Sequence, residues 1–187
     1  EKIILNDVSL EIFEQDFITI LGGNGAGKST LIKLLAGELT ALSGNVQLAK
    51  GVQLGYFARH QLDTLRAEES ALWHMQKIAP EQTEQQVRDY LGSFAFHGDK
   101  VNQAVKSFSG GEKARLVLAL IVWQRPNLLL LDEPFSSLDW QTREHIWHEV
   151  KSLIEALQIT TLLVTHEPKE ADFLAERQVR LHLGRFI

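Results

Sequence analysis

The sequence predicts an α/β fold with a mostly parallel sheet, and three features of the chain indicate it. A glycine-rich loop at residues 22–29 lies between an apolar run and a stretch with helical spacing. A second apolar run, residues 128–131, ends in two carboxylates. After residue 111, apolar runs alternate with helical patterns, which is typical of parallel strands joined by crossover helices.

The glycine-rich loop has the residues of a phosphate-binding loop. Its pattern is Gly, four residues and Gly-Lys-Ser, in which glycines let backbone N–H groups face a phosphate at the positive end of a helix. Lys28 is predicted to reach the β- and γ-phosphates, Ser29 to ligate Mg²⁺ and Thr30 to touch the α-phosphate. The sequence therefore predicts nucleotide binding by Gly22, Gly23, Asn24, Gly25, Ala26, Gly27, Lys28, Ser29 and Thr30.

The other elements are predicted from periodicity and from glycine and proline positions. In the first third, apolar segments predict several strands, and one helix follows the loop: strands 3–5, 8–12, 17–21, 46–49 and 52–57, and helix 28–38. Residues 68–78 and 83–92 have helical spacing and are separated near Pro80. The C-terminal part is predicted as helix 111–123, strand 128–131, helix 140–157, strand 160–164, helix 168–176 and strand 178–183.

Composition limits the classes of protein to which the chain can belong. Its 187 residues are 44% hydrophobic, enough to bury the core of one domain. The absence of cysteine excludes disulfides and thiolate metal sites, and a formal net charge of -5 argues against nonspecific nucleic-acid binding. No apolar run approaches the roughly 20 residues of a membrane span and no secretory signal opens the chain. We therefore expect any membrane contact to go through a partner.

The second apolar run is followed by Asp132 and Glu133, which places them at the carboxyl end of a predicted strand, where ligands bind in such sheets. Asp132 is predicted to hold Mg²⁺ directly or through water. Glu133 is turned another way and is a candidate general base for the attacking water. An acidic helix cap after a buried strand is the alternative reading of these two residues.

Residues 108–115 open a helix with Ser109, Gly110 and Gly111, whose side-chain hydroxyl and N–H groups can form a second anion cradle. At this point the chain resembles the ATP-binding cassette (ABC) proteins, whose signature motif is Ser-Gly-Gly-Gln/Glu in this position of the chain. The resemblance implies that this cradle grips the γ-phosphate bound to another cassette. It also implies a head-to-tail dimer that hydrolyses MgATP to ADP and phosphate.

Two further segments match the family. The segment 136–139 corresponds to the D-loop, and Asp139 is implied to contact the partner cassette. His166 follows an apolar strand and corresponds to the switch histidine, which is implied to contact the γ-phosphate and help fix the attacking water. The resemblance thus assigns catalysis to Lys28, Glu133 and His166.

The chain departs from the family pattern at two points. The glutamine that senses Mg²⁺ usually follows a strand like residues 54–58, but Arg59 occupies that position and Gln61 lies just beyond it. Gln61 is the candidate substitute, and Arg59 is assigned a phosphate or interface role. The aromatic that stacks on adenine normally precedes the first core strand, and we expect that position to lie before the first residue of this chain.

Different stretches resemble different branches of the family. Residues 29–134 resemble the second cassette of the soluble ABC-F proteins, which act on ribosomes as translation factors. Residues 135–187 and the opening segment 4–10 are similar to importer nucleotide-binding subunits. We therefore hypothesise a divergent or recombined hybrid. Separate profile comparisons of residues 1–28, 29–134 and 135–187 would contradict it if all three matched one natural subfamily.

The resemblance implies a P-loop NTPase fold of ABC type in which residues 1–187 form one nucleotide-binding domain. Residues of about 1–60 and 124–187 are expected to form the ATP-binding core with a small antiparallel β subdomain, and about 61–123 a helical subdomain. The expected partners are a second ABC domain and either a transmembrane permease or the ribosome. The expected location is the cytoplasm, including the inner face of the membrane. The alternative is a nucleotide-binding module with weak or no hydrolysis.

Overall fold

A computed structural model describes residues 3–187 and gives them an α/β architecture. The strands are β1 (Phe17–Leu21), β2 (Leu54–Phe57), β3 (Leu128–Asp132), β4 (Thr160–Thr165), β5 (Arg177–His182) and β6 (Arg185–Phe186). Within the described range they form a six-stranded sheet of order β2-β3-β4-β1-β5-β6. Strands β1 to β5 pair in parallel, and β6 pairs antiparallel with β5.

The centre of the sheet is buried on both faces. Every residue of β3 and β4 is buried, which fits the continuous apolar run of β3. Ile18 and Ile20 of β1 pack in the same core as Leu130 and Val164. Strand β1 therefore lies between two parallel neighbours, and the loop that follows it starts at the carboxyl edge of the sheet.

The helices are α1 (Lys28–Leu35), α2 (Ala71–Ile78), α3 (Glu84–Gly92), α4 (Gly110–Trp123), α5 (Trp140–Leu157) and α6 (Pro168–Leu174). Short 3₁₀ helices occupy Gln61–Thr64, Gly98–Asn102 and Val105–Ser107. No helix among the described residues is long and apolar enough to cross a bilayer. Helix α5 has the bounds that the sequence predicts, whereas α1 ends earlier than predicted. Helix α2 begins later than predicted, because Ser70 caps its N-terminus.

Three predicted strands are not formed as such. The segments 3–5, 8–12 and 46–49 have no strand assignment. The alternation that predicts the second of them is present, since Leu10 packs partly buried against the core while Glu11 is exposed. Alternating burial gives an extended segment, but a strand also needs a neighbour for its backbone groups. The antiparallel pairing of the sheet lies instead between β5 and β6, and β6 is not among the predicted strands.

The chain divides into two compact units. The first contains the described residues up to Ala58, together with Arg125–Glu133 and Trp147–Ile187. The second contains Arg59–Gln124 and Pro134–Ile146. The sheet belongs to the first unit, and helices α2, α3 and α4 belong to the second.

In the second unit, a half-buried tyrosine hydroxyl joins two of the helices. The Tyr90 hydroxyl on α3 donates a hydrogen bond of 2.6 Å to the carbonyl of Ala119 on α4. Burial raises the pKa of Tyr90, so this hydroxyl stays a donor at neutral pH. The Tyr90 ring also meets the Trp123 ring edge-on. These contacts fix α3 against α4, which begins at Gly110.

Candidate nucleotide-binding site

Lys28 lies at the centre of the loop between β1 and α1. It is 4% exposed, and its Nζ donates to the carbonyl oxygens of Gly22 (2.7 Å) and Gly23 (3.0 Å). The same Nζ lies 3.2 Å from Oε1 of Glu133. An ammonium group has three donors, so these acceptors account for all of them. The loop therefore wraps around the lysine head.

Two glycines of the loop are required by their surroundings. A Cβ on Gly22 would lie 2.5 Å from the carbonyl oxygen of Leu181, which belongs to the backbone of β5. Gly27 has a φ of 105° and caps the N-terminus of α1 in the left-handed region. The tip residues Gly23, Asn24 and Gly25 are exposed, and a Cβ on Gly23 or Gly25 would meet no atom within 4 Å. The tip therefore leaves room for an external ligand beside its backbone.

Ser29 and Asp132 meet at the end of β3. The Ser29 hydroxyl donates a 3.1 Å hydrogen bond to Oδ1 of Asp132. Asp132 is 3% exposed and occupies the last position of the strand. Hard oxygen donors of this kind suit Mg²⁺, and Ser29 comes directly after the lysine of the loop. The residues present therefore fit a magnesium–nucleotide complex at this edge of the sheet.

Glu133 follows Asp132 in the chain, and its side chain lies between the phosphate-binding loop and the residue after β4. Its side chain is 2% exposed, with Oε1 3.2 Å from Nζ of Lys28 and Oε2 3.3 Å from Nδ1 of His166. Its backbone has a φ of 45°, while its N–H donates to the carbonyl of Val164 at 3.0 Å. Strained backbone at a non-glycine residue is characteristic of functional sites. The carboxylate thus lies between a lysine and a histidine.

His166 follows β4, and its neighbours in the chain are held firmly. The carbonyl of Thr165 accepts from the N–H of Gly22 at 3.2 Å. The Thr165 hydroxyl accepts from the N–H of Glu167 at 3.0 Å and donates to a carboxylate oxygen of Glu170. The other oxygen of Glu170 accepts from Nε1 of Trp147 at 2.9 Å.

Glu170 and Trp147 lie outside the motifs that predict the site. A signal for Glu170 was present, since it stands four residues before Leu174 and so shares the buried face of α6. An acidic residue at a core position is rarely tolerated without partners. No sequence pattern, however, indicates that Trp147 is one of those partners.

Ser109, Gly110 and Gly111 lie in the second unit, at the start of α4. The Ser109 hydroxyl accepts from the N–H of Glu112 at 3.3 Å, and the Glu112 carboxylate accepts from the N–H of Ser109 at 2.8 Å. This reciprocal pair is a capping box. Burial raises the pKa of Glu112, but hydrogen bonds from Lys100 and Ser109, with the charges of Lys100 and Arg115, lower it overall. The cap therefore stays ionised at neutral pH.

The remaining predicted residues of the second unit are Asp139, Gln61 and Arg59. Asp139 is exposed and accepts a 3.0 Å hydrogen bond from the N–H of Thr142 in the first turn of α5. Hydrogen bonds from Thr142 lower the pKa of Asp139. Gln61 is the first residue of a 3₁₀ helix, two positions after the exposed Arg59. The roles predicted for Asp139, Gln61 and Arg59 remain predictions.

Comparison with known proteins gives a consistent result. The model of the family described as ABC transporter matches residues 5–136. The chain is 82% identical over 141 residues to the probable ATP-binding protein YheS of Haemophilus influenzae, covering 75% of this chain and 22% of that protein. It is 40% identical over 154 residues to a probable ATP-binding cassette sub-family F member 3 homolog of Encephalitozoon cuniculi, covering 82% and 26%.

A solved structure agrees over nearly the whole chain. The dimeric structure of MJ0796, a bacterial ABC transporter cassette, matches with a TM-score of 0.77 and 25% identity, covering 98% of this chain and 88% of that one. The α/β fold of ABC type predicted from the sequence is thereby confirmed. This chain spans about a quarter of the length of the curated relatives described above. The chain therefore belongs to the ABC transporter family of ATPases.

Proposed function

We propose that this chain is a cassette that binds MgATP and hydrolyses it to ADP and phosphate at an interface with a second cassette. The observation that supports this most is the convergence of Lys28, Ser29, Asp132, Glu133 and His166 on one edge of the sheet. A structural ion pair would explain Lys28 and Glu133 alone. It would not explain the serine, the second carboxylate or the histidine beside them.

The loop residues bind and orient the triphosphate. When the nucleotide binds, Nζ of Lys28 exchanges its hydrogen bonds to the loop carbonyls for hydrogen bonds to β- and γ-phosphate oxygens. The backbone N–H groups of the exposed tip then donate to the β-phosphate. Ser29 and Asp132 are the ligands proposed for Mg²⁺, which neutralises charge on the phosphates when bound. Thr30 is the proposed contact of the α-phosphate.

Glu133 is the proposed general base, and His166 helps to position the water. Burial and the contact of Oε1 with Nζ of Lys28 restrict the carboxylate, and Oε2 lies 3.3 Å from Nδ1 of His166. Lys28 and His166, which lie beside the carboxylate, carry N–H groups that can also donate hydrogen bonds to a γ-phosphate. In this proposal, the residues that bind the γ-phosphate therefore also contact the carboxylate that takes the proton from the water.

A second cassette completes the site in this proposal. Ser109, Gly110 and Gly111 would bind the γ-phosphate held by the partner, and Asp139 would contact the partner beside its carboxylate. The dimeric state of MJ0796 supports a paired arrangement. A homodimer and two cassettes of one longer chain both satisfy it.

Turnover is therefore expected to rise faster than linearly with protein concentration. If the active species is a dimer, the rate per chain grows with concentration until the dimer saturates. Measuring phosphate release over a hundredfold range of protein concentration tests this. A strictly constant rate per chain would contradict the paired site, and absence of turnover despite tight MgATP binding would indicate a binding module.

The substitution Ser109→Asp separates helix capping from phosphate recognition. Aspartate caps a helix about as well as serine, so the free energy of unfolding should change by less than about 1 kcal/mol. The added negative charge faces the proposed γ-phosphate position, so ATP-dependent association and turnover should fall at least about tenfold. Sedimentation with MgATP and phosphate release measure both.

The matched control for Ser109→Asp is Ser70→Asp, the same change at the N-cap of α2, where Ser70 accepts from the N–H of Trp73. It should leave association and turnover near the wild-type values. Equal losses in both variants would show that capping alone accounts for the effect.

The process that the cassette drives is proposed from its relatives. Identity to YheS and to a sub-family F homolog favours an ABC-F-like cassette of a longer protein over a transporter subunit. We therefore propose a cytoplasmic location and a ribosomal partner. Co-sedimentation of the chain with ribosomes in MgATP would support this, and co-purification with a membrane protein would favour the transporter. The hybrid origin of the chain stays a prediction.

A further inference from the structure

Glu170 is an acidic residue in a position that packing alone would assign to an apolar one. It is 4% exposed and shares the buried side of α6 with Ala171 and Leu174. A buried carboxylate lowers stability unless its oxygens are hydrogen-bonded. Here one oxygen accepts from Nε1 of Trp147 at 2.9 Å, and the other accepts from the hydroxyl of Thr165. An aliphatic side chain would fill the same space without a buried charge, but it would remove the acceptor of the indole N–H and of the Thr165 hydroxyl. The carboxylate is therefore explained by these two donors, of which Thr165 stands next to His166.

The bond to Thr165 acts on the chain beside His166. With Glu170 accepting its hydrogen, the Thr165 hydroxyl is turned so that its lone pair accepts from the N–H of Glu167 at 3.0 Å. The hydroxyl therefore bridges the residue before His166 and the residue after it. The carbonyl of Thr165 is fixed independently by the N–H of Gly22 at 3.2 Å. The backbone that carries the histidine is thus tied both to the phosphate-binding loop and to α6.

The imidazole itself has few restraints of its own. The His166 side chain is 39% exposed, yet Nδ1 lies 3.3 Å from Oε2 of Glu133. A half-exposed ring on a free loop would sample several rotamers. Restraint from its neighbouring backbone explains how it keeps this distance.

We propose that Glu170 is a positioning residue that sets His166 for hydrolysis by orienting the Thr165 hydroxyl. The proposal rests on the function proposed above. Trp147 donates to the other carboxylate oxygen and so stabilises the packing of α5 against α6, without a bond of its own to Thr165. Glu170 touches neither nucleotide nor water and acts only through Thr165.

The substitution Glu170→Gln tests this with little change in shape. The single carbonyl oxygen of glutamine can accept from Trp147 or from Thr165, but not from both in the present geometry. If the indole keeps the carbonyl, the amide N–H₂ faces Thr165 and forces its hydroxyl to accept instead of donate. We expect kcat to fall about tenfold while MgATP affinity changes less than about twofold, because the loss arises in the transition state.

Two variants separate positioning from general loss of structure. In a His166→Ala background, Glu170→Gln should produce no further fall in kcat, because the residue acts through the missing imidazole. An undiminished tenfold fall in that background would overturn the proposal. The control Trp147→Phe removes the indole donor but keeps the Thr165 bond, so it should lower thermal stability and leave kcat within about threefold.

A readout without turnover keeps this proposal distinct from the proposed function. The ring resonances of His166, assigned with His166→Ala, should shift or broaden in Glu170→Gln and remain unchanged in Trp147→Phe. Unchanged resonances in Glu170→Gln would refute positioning. If the wild-type chain hydrolyses no ATP, the function fails, whereas a shifted histidine would still support the contact.

Discussion

Replacing Glu133 by glutamine is expected to reduce ATP hydrolysis by about a hundred- to ten-thousand-fold, the usual contribution of a positioned general base. Glutamine keeps the shape and can still accept from Lys28 but cannot take a proton. MgATP binding should persist, because the loop and Asp132 are unchanged. With hydrolysis stalled, the ATP-bound pair of cassettes should accumulate. Phosphate release and sedimentation in MgATP measure the two effects.

The control for this variant is Glu176→Gln, which neutralises an exposed carboxylate of the same unit. It should leave turnover unchanged. Unchanged turnover in Glu133→Gln would refute the assignment of the base. Loss of both turnover and binding would instead indicate that Glu133 serves to hold Lys28.

Replacing Lys28 by alanine should weaken MgATP binding at least about a hundredfold, since hydrogen bonds from a charged donor to phosphate are worth roughly 1.5–3 kcal/mol each. It should also lower stability. Lys28 and Glu133 are both buried, and removing one partner of such a pair costs about 3–5 kcal/mol. Calorimetric titration and denaturant unfolding measure the two quantities. Normal affinity would overturn the role of the phosphate-binding loop.

A double variant distinguishes lost binding from lost folding. Lys28→Ala with Glu133→Gln removes both charges, so much of the stability should return while MgATP affinity stays low. The control Lys33→Ala changes an exposed lysine of the same helix and should alter neither quantity. Recovery of affinity in the double variant would show that Lys28 is needed only to neutralise Glu133.

Local signals predicted much of the fold. The capping box of Ser109 and Glu112 and the apolar run of β3 depend on neighbouring residues, so their elements lie where the sequence indicates. Segment 8–12 shows the limit of such signals. Its alternation predicts an extended chain, but strand pairing depends on distant backbone that periodicity does not describe.

The same distinction applies to the candidate site. Lys28, Asp132 and His166 occur in motifs whose place at a strand end is readable from sequence, and the structure brings them to one edge of the sheet. The contact between Glu170 and Trp147 joins residues 23 positions apart on two helices. Only tertiary packing creates that contact, so no motif could predict it.

The position of Glu133 in the division of the chain has its own consequence. Glu133 is the last residue of one segment of the first unit, and Pro134 is the first of a segment of the second. A single peptide bond therefore connects the proposed base to the unit that carries the signature serine. The ring of Pro134 restricts the backbone torsions of the residue before it. Glu133, with its φ of 45°, therefore has little conformational freedom. A rotation about the backbone bonds of Glu133 would therefore displace the carboxylate itself.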